Sequence, residues 1–350
     1  RQLEFYHKYK CKHPIYIGDS SSDKNHLKLK RGLVKFKDSL EFKLHYWPEK
    51  NDRQTIKALA DQVSEEYCAF IGDDDFFIPS SITKCANFLS KNPDYSTAQG
   101  RACIFRLDSK DLYGEISQLY IYWDENKKAE EEELTHRLKN FSKNYWVPQF
   151  SVHRTKEFIT SCKNYHYVPD RSVAEYLHCF YFIATGKSKF LDCLYLIRQD
   201  HPQRGISSNS PTNISSEKFV SNEWVQSSKI FIETISNFII QNGNATKSEA
   251  QQLTEKYFYS VSSHSKDKNR SLFILKYLKP SLKYLKPFIK KIPILEAIAR
   301  FFIKDQSKIV EEFIKNPNVE EQYRFFESFI SSKVSINKSN QKDTGNLEKI

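Results

Sequence analysis

Phe70-Ile71-Gly72-Asp73-Asp74-Asp75-Phe76-Phe77-Ile78-Pro79 sets three consecutive carboxylates inside an otherwise apolar run, with a glycine before them and a proline after. Neighbouring carboxylates in a weakly polar setting raise one another's pKa, and they ionise together only where positive charge offsets them. A divalent cation meets that need. The competing reading is a solvated turn, because Gly-Asp after a short apolar segment is ordinary turn chemistry. The flanks favour the cation: Tyr67-Cys68-Ala69-Phe70-Ile71 reads as a buried strand and Phe76-Phe77-Ile78 resumes the apolar run. Ionised carboxylates are rarely buried unless paired or ligating.

On the N-terminal side, residues 1–12 read as a helix stopped by His13-Pro14, followed by a short strand, Ile15-Tyr16-Ile17. That strand ends in the polar loop Gly18-Asp19-Ser20-Ser21-Ser22-Asp23, the position where open α/β sheets hold ligands. Residues 42–46 form a second strand, and 52–66 carry apolar residues at helical spacing behind an Asp52 cap. After the acids, Pro79-Ser80-Ser81 opens a helix closed by Asn92-Pro93. Strands follow at 98–107 and 119–123, then a charge run at Glu130 to Glu133, an extended stretch to His153 and a helix from Arg154. An apolar helix over 172–185 holds a single acid, Glu175, and a strand over 190–198 leads into Gln199-Asp200-His201-Pro202-Gln203-Arg204. This alternation predicts an α/β fold built on a mainly parallel sheet.

At 350 residues, with 39% apolar content, the chain can bury a sizeable core. Met is absent, and Arg1 is therefore expected to be an internal residue of a longer or processed sequence, with an N-terminal strand missing. The seven cysteines are scattered singly, giving neither a zinc signature nor a compact disulfide framework, and a reducing cytoplasm is the expected setting. No stretch approaches the length of a membrane span. The net charge of +11 asks for a polyanionic partner, and residues 266–304 concentrate it, with eleven Lys or Arg against two acids. Residues 206–221 turn to Ser, Asn and Pro and read as a linker, 222–332 as a basic helical region, and 333–350 as a disordered tail.

Four separated elements occur in the order of a known family. Ile15 to Asp23, Asn51 to Tyr67, Phe70 to Pro79, and Ala174-Glu175-Tyr176-Leu177 with the later Arg198-Gln199-Asp200-His201-Pro202 together resemble the GT-A type nucleotide-sugar glycosyltransferases (the family 2-like group) of bacterial surface-polysaccharide synthesis. The resemblance covers 1–205. It implies a GT-A, Rossmann-like mixed sheet flanked by helices, with the family's first strand absent here. It also implies Mg²⁺ or Mn²⁺ at Asp73, Asp74 and Asp75 with His201 as a further ligand. Nucleotide-sugar contacts would come from Asp19, Ser20, Asp73, Arg198 and Arg204, and Glu175 would be the catalytic base with Asp170 as competitor. Gly72 falls where the commoner Asp-x-Asp register has its first acid, so the ligating register stays open. The resemblance also implies a glycan or lipid-linked acceptor and a nucleotide-sugar donor.

A two-metal nucleotidyltransferase also needs clustered acids, and Asp108 or Asp192 would then serve as the partner carboxylate. A non-catalytic reading makes the chain a basic membrane- or nucleic-acid-binding protein organised on 266–304. Nucleic acid is not expected under the transferase reading. Lys interleaved with Tyr, Leu, Phe and Ile in that segment instead predicts peripheral attachment to an anionic inner membrane face.

Overall fold

The computed structural model describes residues 1–109, 111–200, 221–243, 245–262 and 308–332. Two long strands form its spine. β5 (Tyr95–Leu107) and β8 (Lys187–Gln199) run parallel, from the pairing of Tyr95 with Lys187 to that of Phe105 with Gln199. Around them the sheet is completed by β3 (Tyr67–Ala69), β4 (Phe76–Phe77), β6 (Ile116–Trp123) and β7 (Val152–Arg154), in the order β3-β7-β5-β8-β4 with β6 also on β5. A separate parallel pair joins β1 (Ile15–Asp19) to β2 (Phe42–Tyr46). The expected mixed sheet flanked by helices is present, with more antiparallel pairing than element alternation suggested: β3–β7, β4–β8, β5–β6 and β5–β7 are all antiparallel. Short strands and a return strand supply these ladders, and neither needs a crossover helix.

Strand alternation divides the core into two faces. On one side Phe77, Ala98, Ala102, Tyr195 and Leu196 pack beneath α4 (Pro79–Lys91), α5 (Leu134–Lys143) and α7 (Arg171–Thr185). On the other, Phe76, Cys103, Phe105, Leu194 and Ile197 pack beneath α1 (Gln2–Lys8). The C-terminal helices contribute to both cores. Trp224, Phe231 and Ile235 of α8 (Asn222–Asn242) and Phe258 of α9 (247–262) join the first, while Phe313 of α10 (308–314) and Tyr323, Phe326 and Phe329 of α11 (Glu320–Ser331) join the second.

Local chemistry sets the helix starts. Asn51 and Gln54 form a reciprocal capping box at the start of α3 (Asp52–Ala60), and Pro79 occupies the first turn of α4. α2 (Asp23–Leu33) and α6 (Thr155–Tyr165) complete the helices used below. Gly18 lets β1 lie against α3: a Cβ there would come within 2.8 Å of Thr55 Cγ2. The expected linker, apart from Ser221, the basic segment 266–304 and the tail 333–350 lie outside the described residues.

Candidate active site

The antiparallel β4–β8 ladder decides where the acids go. Phe76 pairs with Ile197, so the preceding residue, Asp75, meets the end of β8. Its Oδ2 accepts a 2.8 Å hydrogen bond from Arg198 Nε and its Oδ1 a 3.0 Å bond from the Gln199 amide. Asp75 is 2% exposed. Both carboxylate oxygens of this expected metal ligand face inward and hold the strand end. Asp73 is exposed and Asp74 half-buried on the same bend. Asp74 Oδ1 lies 3.2 Å from where a Cβ on Gly72 would sit, so the glycine leaves room for that carboxylate.

Arg198 is the hub of the site. Its guanidinium carbon lies 4.7 Å from the Phe150 ring centroid and 5.1 Å from that of Tyr122, and Phe70 stacks on Phe150 at 6.1 Å. Tyr122 Oη also lies 3.2 Å from Arg198 Nη1. Burial works against the charge of Arg198, but Tyr122 and Asp75 outweigh it and the guanidinium is held charged. Burial lifts the Tyr122 phenol to about 12, Arg198 opposing that rise.

Glu175, one turn into α7, lies within the electrostatic reach of Arg198 and Tyr122. Burial raises its pKa, and the hydrogen bond from Tyr145 Oη to Oε1 at 3.1 Å, together with Arg198, limits the rise. The competitor Asp170 has another task. It is the N-cap of α7, its Oδ1 accepting from the amides of Ser172 at 2.9 Å and Val173 at 3.0 Å, and it is buried against α8, where its own amide donates to Ser227 Oγ.

Asp19 organises a second polar cluster on the β1–β2 pair. Its Oδ1 accepts from the Ser21 amide at 2.9 Å and its Oδ2 lies 2.8 Å from His26 Nδ1. Burial pushes its pKa up, but the bonds from Ser21 and His26 outweigh that and hold it below the usual value. His26 stacks on Tyr46 with centroids 3.8 Å apart. Ser20 is exposed beside this cluster. Neither His26 nor Tyr46 carried a sequence signal beyond its place near a strand end.

Asp192, weighed as a second-metal carboxylate, is instead paired with Arg101 and accepts from Asn318 Nδ2 at 3.1 Å. Asp108 lies in the turn after β5, its amide bonded to the Glu115 carbonyl. His201 and Arg204 fall outside the described residues. Tyr122, Tyr145 and Phe150 were missed from sequence; the aromatic density of 119–123 and 145–150 was their one visible trace. Among the described residues no three His, Cys, Asp or Glu side chains converge as a ready-made cation cage.

No protein-family model and no curated protein matches the sequence. Among solved structures, S. aureus TarS 1–349 in complex with UDP-GlcNAc is similar at 16% identity and a TM-score of 0.49, with 84% of this chain and 78% of that chain covered. S. aureus TarS is similar at 12% identity and a TM-score of 0.44, covering 88% of this chain and 52% of that one.

Proposed function

We propose that this chain is a metal-dependent glycosyltransferase that moves a sugar from a nucleotide-diphosphate donor to a hydroxyl of a glycan or lipid-linked acceptor, with inversion. The observation that supports it most directly is the Asp75–Arg198 pair. It fixes an acidic bend, a permanently charged guanidinium and the neighbourhood of Glu175 at one end of the central sheet.

In this reading Asp73 and Asp74 hold Mg²⁺ or Mn²⁺, which when bound neutralises the diphosphate leaving group. Arg198, 31% exposed at its side chain, adds fixed positive charge toward the same phosphates. Asp19 and Ser20 contact the nucleoside, Asp19 offering an ionised acceptor held in place by Ser21 and His26. Glu175 accepts the acceptor hydroxyl's proton as the new glycosidic bond forms, a role that requires its ionised form. The work is placed at the cytoplasmic face of a membrane, in surface-polysaccharide synthesis, with residues 266–304 as the anionic-surface contact. No helix of the described residues is long and apolar enough to cross a membrane.

The test is a donor screen: nucleotide release from nucleotide sugars with Mg²⁺ or Mn²⁺, with and without chelator. Turnover that survives chelation, or full activity in Asp73→Asn/Asp74→Asn, would contradict the site. A product with the donor's anomeric configuration, read by NMR, would remove inversion alone.

A further inference from the structure

The acidic bend is gripped from below by the beginning of the chain. Gln2 Nε2 donates to the carbonyl of Gly72 at 2.9 Å and to that of Asp75 at 2.8 Å. Both partners are acceptors, so the amide's orientation is fixed by chemistry: its nitrogen must face the bend. Arg1 donates from Nη2 to the Asp74 carbonyl at 2.9 Å and from Nη1 to the Leu112 carbonyl at 2.9 Å. Between β3 and β4 these residues follow no ladder, so their carbonyls depend on such partners or on water. One side chain thus ties together the two ends of a bend whose three carboxylates repel one another. Arg1 lies within electrostatic reach of all three.

The grip is itself anchored. Phe5, one turn along α1, meets Phe76 at 5.3 Å, Phe329 at 5.3 Å and Phe326 at 5.9 Å in edge-on contacts, and the Phe77 amide donates to Tyr6 Oη at 3.3 Å. α1 is therefore seated on β4 and α11 independently of Gln2.

We propose that Gln2, supported by Arg1, is a positioning residue that sets the spacing of the Asp73 and Asp74 carboxylates for a divalent cation. The proposal rests on the metal reading of the bend and adds to it the residue that shapes the ligand set.

The experiment is hydrogen exchange read by mass spectrometry over the peptide 70–77, for wild type, Gln2→Ala and Gln2→Glu, across a titration of Mn²⁺ alone. Two neutral hydrogen bonds to the bend are lost in the alanine variant. The peptide should therefore exchange about tenfold faster without metal and need about tenfold more Mn²⁺ for half-protection. Gln2→Glu, which turns an acceptor toward two carbonyls, should do at least as much. Exchange over 4–9 should stay at its wild-type rate.

Unchanged exchange and an unchanged Mn²⁺ requirement in both variants would overturn the proposal. So would loss of protection over 4–9, which would make helix docking rather than Gln2 the determinant. A faster-exchanging bend in both variants, with no Mn²⁺ response even in wild type, would overturn the metal reading and the cation role of Gln2 with it, leaving a purely structural staple.

Discussion

Asp73 and Asp75 are two residues apart yet face different solvents, and their substitution should separate function from stability. Asp75→Asn removes a charge from a buried pair and leaves Arg198 uncompensated between two rings, a change that costs about 3–5 kcal/mol when both partners are desolvated. Arg198 keeps 31% exposure, so the lower end of that range is expected, read as a fall in urea midpoint without a change in slope. Asp73→Asn, at an exposed position, should leave the midpoint within about 0.5 kcal/mol of wild type while reducing metal-dependent turnover. Glu175 gives a second separation. A base works only when ionised, and burial raises its pKa, so kcat should fall on the acid side at a pH above the ordinary carboxylate range. Tyr145→Phe deletes the hydrogen bond that opposes this rise and should move the acid limb to higher pH. An acid limb that stays put in Tyr145→Phe would remove Glu175 as the titrating base. These roles were partly visible in sequence: the acid triplet and the single acid of an apolar helix stood out. The inward turn of Asp75 did not, because it follows from the pairing of Phe76 with Ile197, more than a hundred residues away.

The packing of α7 carries a pH dependence of its own. His178 on α7 and His153 on β7 are both 0% exposed, and both rings lie against Phe158 and Phe182. Burial lowers the His153 pKa to about 3 and holds His178 well below its usual value. Their folded pKa values are depressed, so the unfolded chain takes up the protons first as pH falls below about 6.5. Stability is therefore full above that pH and declines as pH falls toward the depressed folded values, by about 1.4 kcal/mol per pH unit for each histidine. Urea midpoints between pH 7 and 5 should fall accordingly, and His178→Leu should roughly halve the slope. An undiminished slope in that variant would assign the acid loss to other groups. α7 was legible because its apolar content is a local signal, whereas its Asp170 cap stood in the sequence only as a competing base. α2 was not: its eleven residues hold four Lys or Arg and little apolar surface, so no stripe announces a helix. β4 was visible only as part of an apolar run, since two residues carry no period and its ladder partner is remote.

Across the whole molecule, residues 308–350 and 266–304 should have different work, and deletion of the first and substitution in the second can tell them apart. α11 buries Tyr323, Phe326, Phe329 and Ile330 against Phe5, Phe76 and Phe105, on the face opposite α7 and α8. The sequence reading of 222–332 as a helical region did not announce that the aromatic stripe of α11 completes the core beneath the acidic bend. Removing 308–350 would uncover that aromatic cluster, and truncating even one such ring costs about 3–5 kcal/mol. Such a chain should lose its cooperative thermal transition or aggregate. Replacing the eleven Lys and Arg of 266–304 by Ser acts on charge alone. It should leave the transition within a few degrees of wild type while abolishing sedimentation with anionic liposomes at low salt, since each basic residue near such a surface contributes about 1 kcal/mol. Wild-type sedimentation should itself weaken as salt shortens the screening length. If the Ser-substituted protein still sediments with the vesicles, the attachment lies elsewhere on the chain and 266–304 loses its membrane role. If it instead fails to fold, the segment belongs with α11 as part of the scaffold.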